Sequence, residues 1–399
     1  MRHIKARIEN EISHTVWALD THEYHAPTVS IAAYRLYMAA RRRRHLRRIQ
    51  LNIAPRRVMF TPVALCLWRT VVQQHGFGSL PPVSTLTLGG GGLGMLWGET
   101  TFNECVATVH DAVTADINLI DLAPRYGDGK AELVVGEAFG GRLPAGIRVT
   151  SKCNIGPLPA AQIDATVRKS IEESLNRLRL SRLDIFFLHS NVVPDEGFTA
   201  TRPEGAARLT SYATFVRHIR PLFERLVTEG LIGAWGLTGI GHPDTIIKLL
   251  GEDPKPAAVQ CIANLLDSPG SLKFFAGPAK PRDVMAAARA NGVGVMGIRA
   301  AQAGALTSAI DRPLPADNLE IRDYALAASF RALCTELGAN PAVLAHRYAL
   351  SLDIDTLVLG VKNRQELAEC VGAATAGPLP PELLARIDAS VSHARGALP

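Results

Sequence analysis

Aromatic side chains are scarce in this sequence, 6% of 399 residues, so the core must be built from Ala, Val, Leu and Ile. Paired cysteines are missing too: Cys66, Cys105, Cys153, Cys261, Cys334 and Cys370 stand far apart. That scatter excludes a disulfide framework and a cysteine zinc site, leads us to expect no metal, and suits a reducing, cytoplasmic setting. No apolar run reaches the ~20 residues of a membrane-crossing helix; "VMFTPVALCLW" (58–68) has about half that length. It also arrives too late, behind Glu9, Glu11, Asp20 and Glu23, to be the core of a secretory signal. No membrane partner is expected.

Beyond the N-terminus there is no excess of either charge. The formal net charge is +6, yet residues 1–60 hold 12 Lys/Arg against 4 Asp/Glu, which leaves 31 basic and 33 acidic residues in the rest. A near-neutral body gives no footprint for nucleic acid. The cluster "AARRRRHLRRIQ" (39–50) belongs to residues 1–80, which show no sustained helical or strand period. This segment reads as a poorly ordered basic extension, much of it absent if translation starts at Met59. A docking arm for an acidic partner is the alternative.

From residue 81 the pattern changes to alternation. Short apolar runs occur at 84–90, 117–121, 147–152, 183–189, 232–238, 257–262, 293–299 and 355–361. Between them lie helical periods such as 161–180, where Ile163, Val167, Ile171, Leu175 and Leu178 recur at spacings of three and four. Eight strand–helix units over residues 81–399 predict a single α/β domain, a closed (β/α)8 TIM barrel. An open doubly wound sheet is the structural alternative. "GGGGLGMLWG" (89–98) invites a dinucleotide-binding turn, but no acid closes a second strand at the required distance. In a barrel these glycines let the first strand lie close beneath a cofactor.

Barrel chemistry gathers where strands end. Here the second strand ends in Asp121, the third in Lys152 and the fourth in His189, with Tyr126 in the loop after Asp121. Each has a bland explanation: Asp121 as a helix cap, Lys152 as its counter-ion, His189 as a satisfied interior histidine. Together they describe a phenol whose pKa an adjacent ammonium lowers, an ammonium held by a carboxylate, and an imidazole to orient a carbonyl oxygen.

The stretches "IDLAPRYG…E…VGEAF", "VTSK" and "FFLHS" resemble the signature of the aldo-keto reductase superfamily, over roughly residues 82–375. The resemblance implies a catalytic tetrad of Asp121, Tyr126, Lys152 and His189 reducing a carbonyl by hydride from a nicotinamide. It also implies an extended NADP(H), or NAD(H), bound without a Rossmann domain. Cofactor positions carried over are Thr238 and Gln260 at the carboxamide, Arg299 and Gly304 at the pyrophosphate, and Lys362 and Arg364 at the adenosine phosphate. Some positions depart from the family pattern. Gly239 lacks the usual amide, Ile298 replaces a stacking aromatic, Cys370 replaces Asn, and Glu366 replaces Arg or Gln. Lys362 and Arg364 tip the expectation toward NADP, unless they merely begin a solvated helix.

The expected substrate is a small aldehyde, ketone or aldose, loosely as in D-threo-aldose dehydrogenases. Long polar loops at 190–213 and 308–325 are expected to wall its pocket. A non-catalytic nicotinamide-binding subunit that docks to a protein partner is the rival reading. A phosphate-binding barrel lyase is disfavoured, because no glycine-rich phosphate site opens a helix after the last two strands. Oligomeric state is not written in the pattern.

Overall fold

The computed structural model describes residues 72–397. The basic segment and the Met59 start lie outside these residues, as does Cys66. Twelve strands are described: β1 (Gln74–Phe77), β2 (Leu80–Ser84), β3 (Leu86–Gly89), β4 (Leu119–Asp121), β5 (Arg148–Cys153), β6 (Leu183–Leu188), β7 (Asn191–Val193), β8 (Leu209–Ser211), β9 (Ile232–Thr238), β10 (Ala258–Ile262), β11 (Gly294–Ile298) and β12 (Thr356–Leu359). β3, β4, β5, β6, β9, β10, β11 and β12 close into a parallel barrel in that cyclic order. These are the eight runs read from the sequence, and the fold is the (β/α)8 TIM barrel; the open sheet is excluded by the pairing of β12 with β3.

The amphipathic periods become the outer helices. In Ala160–Leu178 the buried positions are Ile163, Val167, Ile171, Ser174 and Leu178. Leu175 is only partly buried, and Ser174 takes the inward place because it faces a polar cluster. The Ser174 hydroxyl lies 3.3 Å from that of Ser151, and Ser151 donates to the fully buried Glu132 at 2.6 Å. Arg177 completes the cluster by donating to Glu132 at 2.5 Å. The helical period at 213–230 is broken by one π turn, Phe215–Ile219, just ahead of Pro221. A proline cannot donate its backbone N–H, so the ladder shifts there.

β1 and β2 form an antiparallel hairpin, with Phe77 opposite Leu80. It begins at Gln74, on the extension side of the boundary at 80. Phe77 and Val83 pack with Leu119 and Ala258, the first residues of β4 and β10, and with Ile185, Phe187 and Met296 further along β6 and β11. A Cβ on Gly294, the first residue of β11, would come within 2.5 Å of the Phe77 ring. The hairpin therefore closes the N-terminal end of the barrel, and the C-terminal end is left as the mouth. The long loop after β6 is not structureless: β7 and β8 pair in parallel within it.

Candidate active site

Asp121 ends β4 and Lys152 lies near the end of β5, so register alone brings these two C-terminal ends together. Asp121 is paired with Thr150, and Lys152 with Phe187. Lys152 is completely buried and Asp121 nearly so. The Lys152 ammonium donates to Asp121 Oδ2 at 2.7 Å, to the Leu122 carbonyl at 2.8 Å and to the Tyr126 hydroxyl at 3.3 Å. Its three donors are thus spent, which a buried cation requires. The other carboxylate oxygen of Asp121 accepts from Thr150 at 2.7 Å and from Gln260 at 2.8 Å.

Tyr126 is carried by the loop after β4. The loop can approach the first barrel strand because Gly94 has no side chain, and a Cβ there would lie 2.6 Å from the Tyr126 carbonyl. The phenol ring meets His189 edge-on, with centroids 5.9 Å apart. The backbone of His189 is fixed by its N–H donating to the Cys153 carbonyl at 2.8 Å. Next to it, the buried Ser190 hydroxyl accepts from the Ile155 and Gly156 amides, tying the loops after β5 and β6 together. All four tetrad residues named from the sequence therefore meet at the barrel mouth.

Their protonation departs from expectation in one respect. Burial pushes the Tyr126 phenol above its ordinary value of 10, and the nearby Lys152 cation offsets only part of this. The predicted lowering does not occur, because desolvation of a phenolate inside the mouth outweighs one neighbouring charge. For Lys152, burial pulls downward, but Asp121 and Tyr126 more than restore it and leave it raised. His189 is driven well below 6.5 by burial, then by the positive charges of Lys152, Arg125 and Arg208. At neutral pH the imidazole is therefore uncharged, and the phenol is the group with a proton to give.

These residues sit at one end of a cavity of about 670 Å³. Gly89, Gly90 and Gly91 line it, and a Cβ on them would collide with Leu359, Tyr126 and Trp97, which line the same cavity; Ile298 supplies an aliphatic surface. Thr238 lines it while its hydroxyl donates to the Leu188 carbonyl at 2.9 Å. Gly304 lines it in a left-handed conformation, with φ of 94°. Lys362, Glu366 and Cys370 are found toward the start of the helix Arg364–Thr375, which Asn363 caps by accepting from the Glu366 amide at 2.8 Å.

Three carried-over cations are already engaged. Arg299 donates to Glu320 at 2.6 Å and to Gln302 at 2.8 Å, within a buried network that also holds Asn264, Ser268 and Asp323. The Lys362 ammonium lies between two carboxylates, 2.9 Å from Asp311 and 2.7 Å from Glu366. Arg364 grips Glu104 with both Nε and a terminal nitrogen at 3.0 Å, and it does not line the cavity.

Sequence reasoning missed several residues here. Trp97 lines the cavity with Arg312 stacked 5.0 Å from its ring, so the loop after β11 reaches across to the first strand. Asp311 in the same loop bridges to Lys362. Arg125, Asn154, Asn191 and Arg208 line the tetrad end. Only Arg125 carried a local signal, its place beside Tyr126; the others depend on which loops the barrel closure brings together. Among the described residues no cluster of metal-ligating side chains occurs, and no helix is long and apolar enough to cross a membrane.

The sequence model of the aldo/keto reductase family matches residues 85–392. L-galactose dehydrogenase of Arabidopsis thaliana is 25% identical over 296 residues, 73% of this chain and 85% of its own length. The NADH-specific methylglyoxal reductase of Escherichia coli is 31% identical over 127 residues, covering 28% of this chain and 38% of its own. Among solved structures, the glycerol dehydrogenase of Gluconobacter oxydans superposes with a TM-score of 0.56 at 21% identity, over 82% of this chain and 96% of that one. An aldo-keto reductase of Klebsiella pneumoniae in complex with NADPH gives 0.56 at 20% identity, over 80% and 95%. At such identities the structural likeness bears on the fold alone.

Proposed function

The chain belongs to the aldo/keto reductase family and is an oxidoreductase, and from that premise we propose that it interconverts a small carbonyl compound and its alcohol with Tyr126 as acid and base. The observation that carries this reading is the junction of Lys152 with Asp121, Leu122 and the Tyr126 hydroxyl behind the wall of a cavity that Asp121, Tyr126 and His189 line. When bound, a nicotinamide cofactor supplies the hydride for reduction and accepts it for oxidation. Tyr126 gives its phenolic proton to the carbonyl oxygen, and Lys152 stabilises the phenolate left behind. Asp121 holds Lys152, with Thr150 and Gln260 holding Asp121. His189, neutral, hydrogen-bonds the reacting oxygen. The family's dehydrogenase and reductase members do not favour the non-catalytic alternative.

The cavity fits such a cofactor: glycine-lined near the tetrad, aliphatic at Ile298, and open toward the capped end of a helix. Thr238 and Gln260 would meet the carboxamide, the latter with its carbonyl oxygen since its nitrogen serves Asp121. The backbone at Gly304 would meet the pyrophosphate. At the adenosine end one ammonium is shared by two carboxylates, and Arg364 is spent on Glu104. A 2′-phosphate there would face Glu366 and Asp311 before it gained Lys362, whereas a free ribose hydroxyl meets acceptors. The reading therefore moves from NADP(H), favoured by residue types alone, to NAD(H). In a fluorescence titration NADH is expected to bind about tenfold or more tighter than NADPH. Equal or tighter NADPH binding would show that Lys362 leaves its carboxylates for the phosphate.

The raised phenol sets the pH dependence. Below its ordinary value near 10 it stays protonated, so the donor form needed for reduction is present throughout neutrality. The phenolate needed for oxidation accumulates only as pH climbs toward and past that value. Reduction kcat/KM should be flat between about pH 6 and 9, while oxidation kcat/KM rises about tenfold per pH unit. A loss of reduction as pH rises through a value below 6.5 would instead make a protonated His189 the donor.

A further inference from the structure

The charges along the cavity are distributed unequally. Toward the helix Arg364–Thr375 and the loop after β11, Lys362 is held by Asp311 and Glu366, and Arg299 by Glu320. At the tetrad end stand Arg125, next to Tyr126, and Arg208, at the end of the 3-10 turn Pro203–Arg208 in the loop after β6. Among the described residues no carboxylate pairs with either. Arg208 is half-buried, with its guanidinium 5.8 Å from the Phe274 ring. Burial and the positive charges of Arg125 and Arg202 weaken its hold on its proton. Both arginines also depress His189. Two guanidinium groups, the exposed one of Arg125 and the half-buried one of Arg208, therefore line the end of the cavity where the substrate reacts, and no carboxylate of the described protein pairs with either.

Such an arrangement is unfavourable by itself, since like charges in a partly desolvated site repel. A bound anion relieves it. The planar fork of arginine matches a carboxylate or phosphate with two parallel hydrogen bonds. We propose that the substrate of this site is anionic: a small oxo or hydroxy compound whose carboxylate or phosphate is held by Arg125 and Arg208 while its reacting carbon lies by Tyr126 and His189. This rests on the oxidoreductase reading above. The redox balance is unchanged, one hydride and one proton added to the carbonyl in reduction, and the anionic group takes no part in it. This class differs from the neutral aldose suggested by the loop resemblance.

The test compares two matched pairs on the full-length enzyme: succinic semialdehyde against butyraldehyde, and glyceraldehyde 3-phosphate against glyceraldehyde. Wild-type kcat/KM should favour the charged member of one pair by about 100-fold, mainly through KM. Which pair shows the preference identifies carboxylate or phosphate. In Arg125→Gln, Arg208→Gln and the double variant the ratio should fall stepwise toward one. Independently of turnover, malonate or inorganic phosphate at constant ionic strength should raise the unfolding temperature of the wild type and not of the double variant. An equal or reversed preference in both pairs overturns the proposal. If all four aldehydes are inert, the absence of an anion-induced shift overturns it alone. A Tyr126→Phe enzyme that still turns over would instead strike the oxidoreductase mechanism, leaving the anion-binding result to stand or fall separately.

Discussion

Tyr126→Phe should lower turnover by about 100- to 10,000-fold while leaving NADH binding intact. The substitution removes one oxygen and little else. The phenol ring keeps its edge contact with His189, and the hydroxyl's hydrogen bond within the protein is to Lys152, which retains Asp121 and Leu122. Fold and cofactor groove should therefore persist, and the loss should fall on the proton transfer. Stopped-time assays of carbonyl reduction, paired with a fluorescence titration of NADH, read the two effects separately. Turnover close to wild type with normal binding would remove Tyr126 from the mechanism. Loss of binding as well would mean that the loop after β4 had been displaced, and the result would speak to structure.

Lys152→Met should be the most damaging single change in the site. It abolishes turnover and destabilises the fold by about 3–5 kcal/mol, because it leaves the Asp121 carboxylate buried without its cation. In the wild type the pair's contribution is present at neutral pH. Lys152 holds its proton more tightly in the fold than when unfolded. Its share of stability is thus complete below the unfolded value near 10.5 and is lost as pH rises through the higher folded one. The double variant Asp121→Asn/Lys152→Met separates the two roles. Asn keeps an acceptor for Thr150 and Gln260 but carries no charge, so most of the stability should return while turnover does not. Chemical denaturation alongside the reductase assay checks both. If Lys152→Met alone were as stable as the wild type, the buried pair would have no structural part.

The eight barrel strands were legible because a parallel strand covered on both faces has to be an unbroken apolar run. Residues 119–121 and 185–189 show this plainly, each apolar until it delivers a polar group, Asp121 or His189, at the mouth. Asp121, Lys152 and His189 could be read for the same reason: a polar residue at the tip of such a run has no other place to be. Tyr126 came with them because a short loop binds it to Asp121. Residue type did not show which charges already have partners. Lys362, Arg364 and Arg299 look like phosphate ligands in the sequence. In the fold Glu104 and Asp311, from 260 and 51 residues away, pair with Arg364 and Lys362, while Glu366 also pairs with Lys362 and Glu320 with Arg299.

Sequence by itself determined the alternation of elements, the barrel and the strand-end positions of Asp121, Lys152 and His189, since each follows from local period and from what a strand end can bury. Tertiary structure decided the rest. It placed the hairpin that shuts one end of the barrel, and it held the phenol high by burying it. It also paired the cations near the groove's far end and left Arg125 and Arg208, among the described residues, without a carboxylate partner at the end that His189 lines. These depend on distances between loops that the chain separates widely, and Coulomb and desolvation energies are functions of those distances, not of residue type.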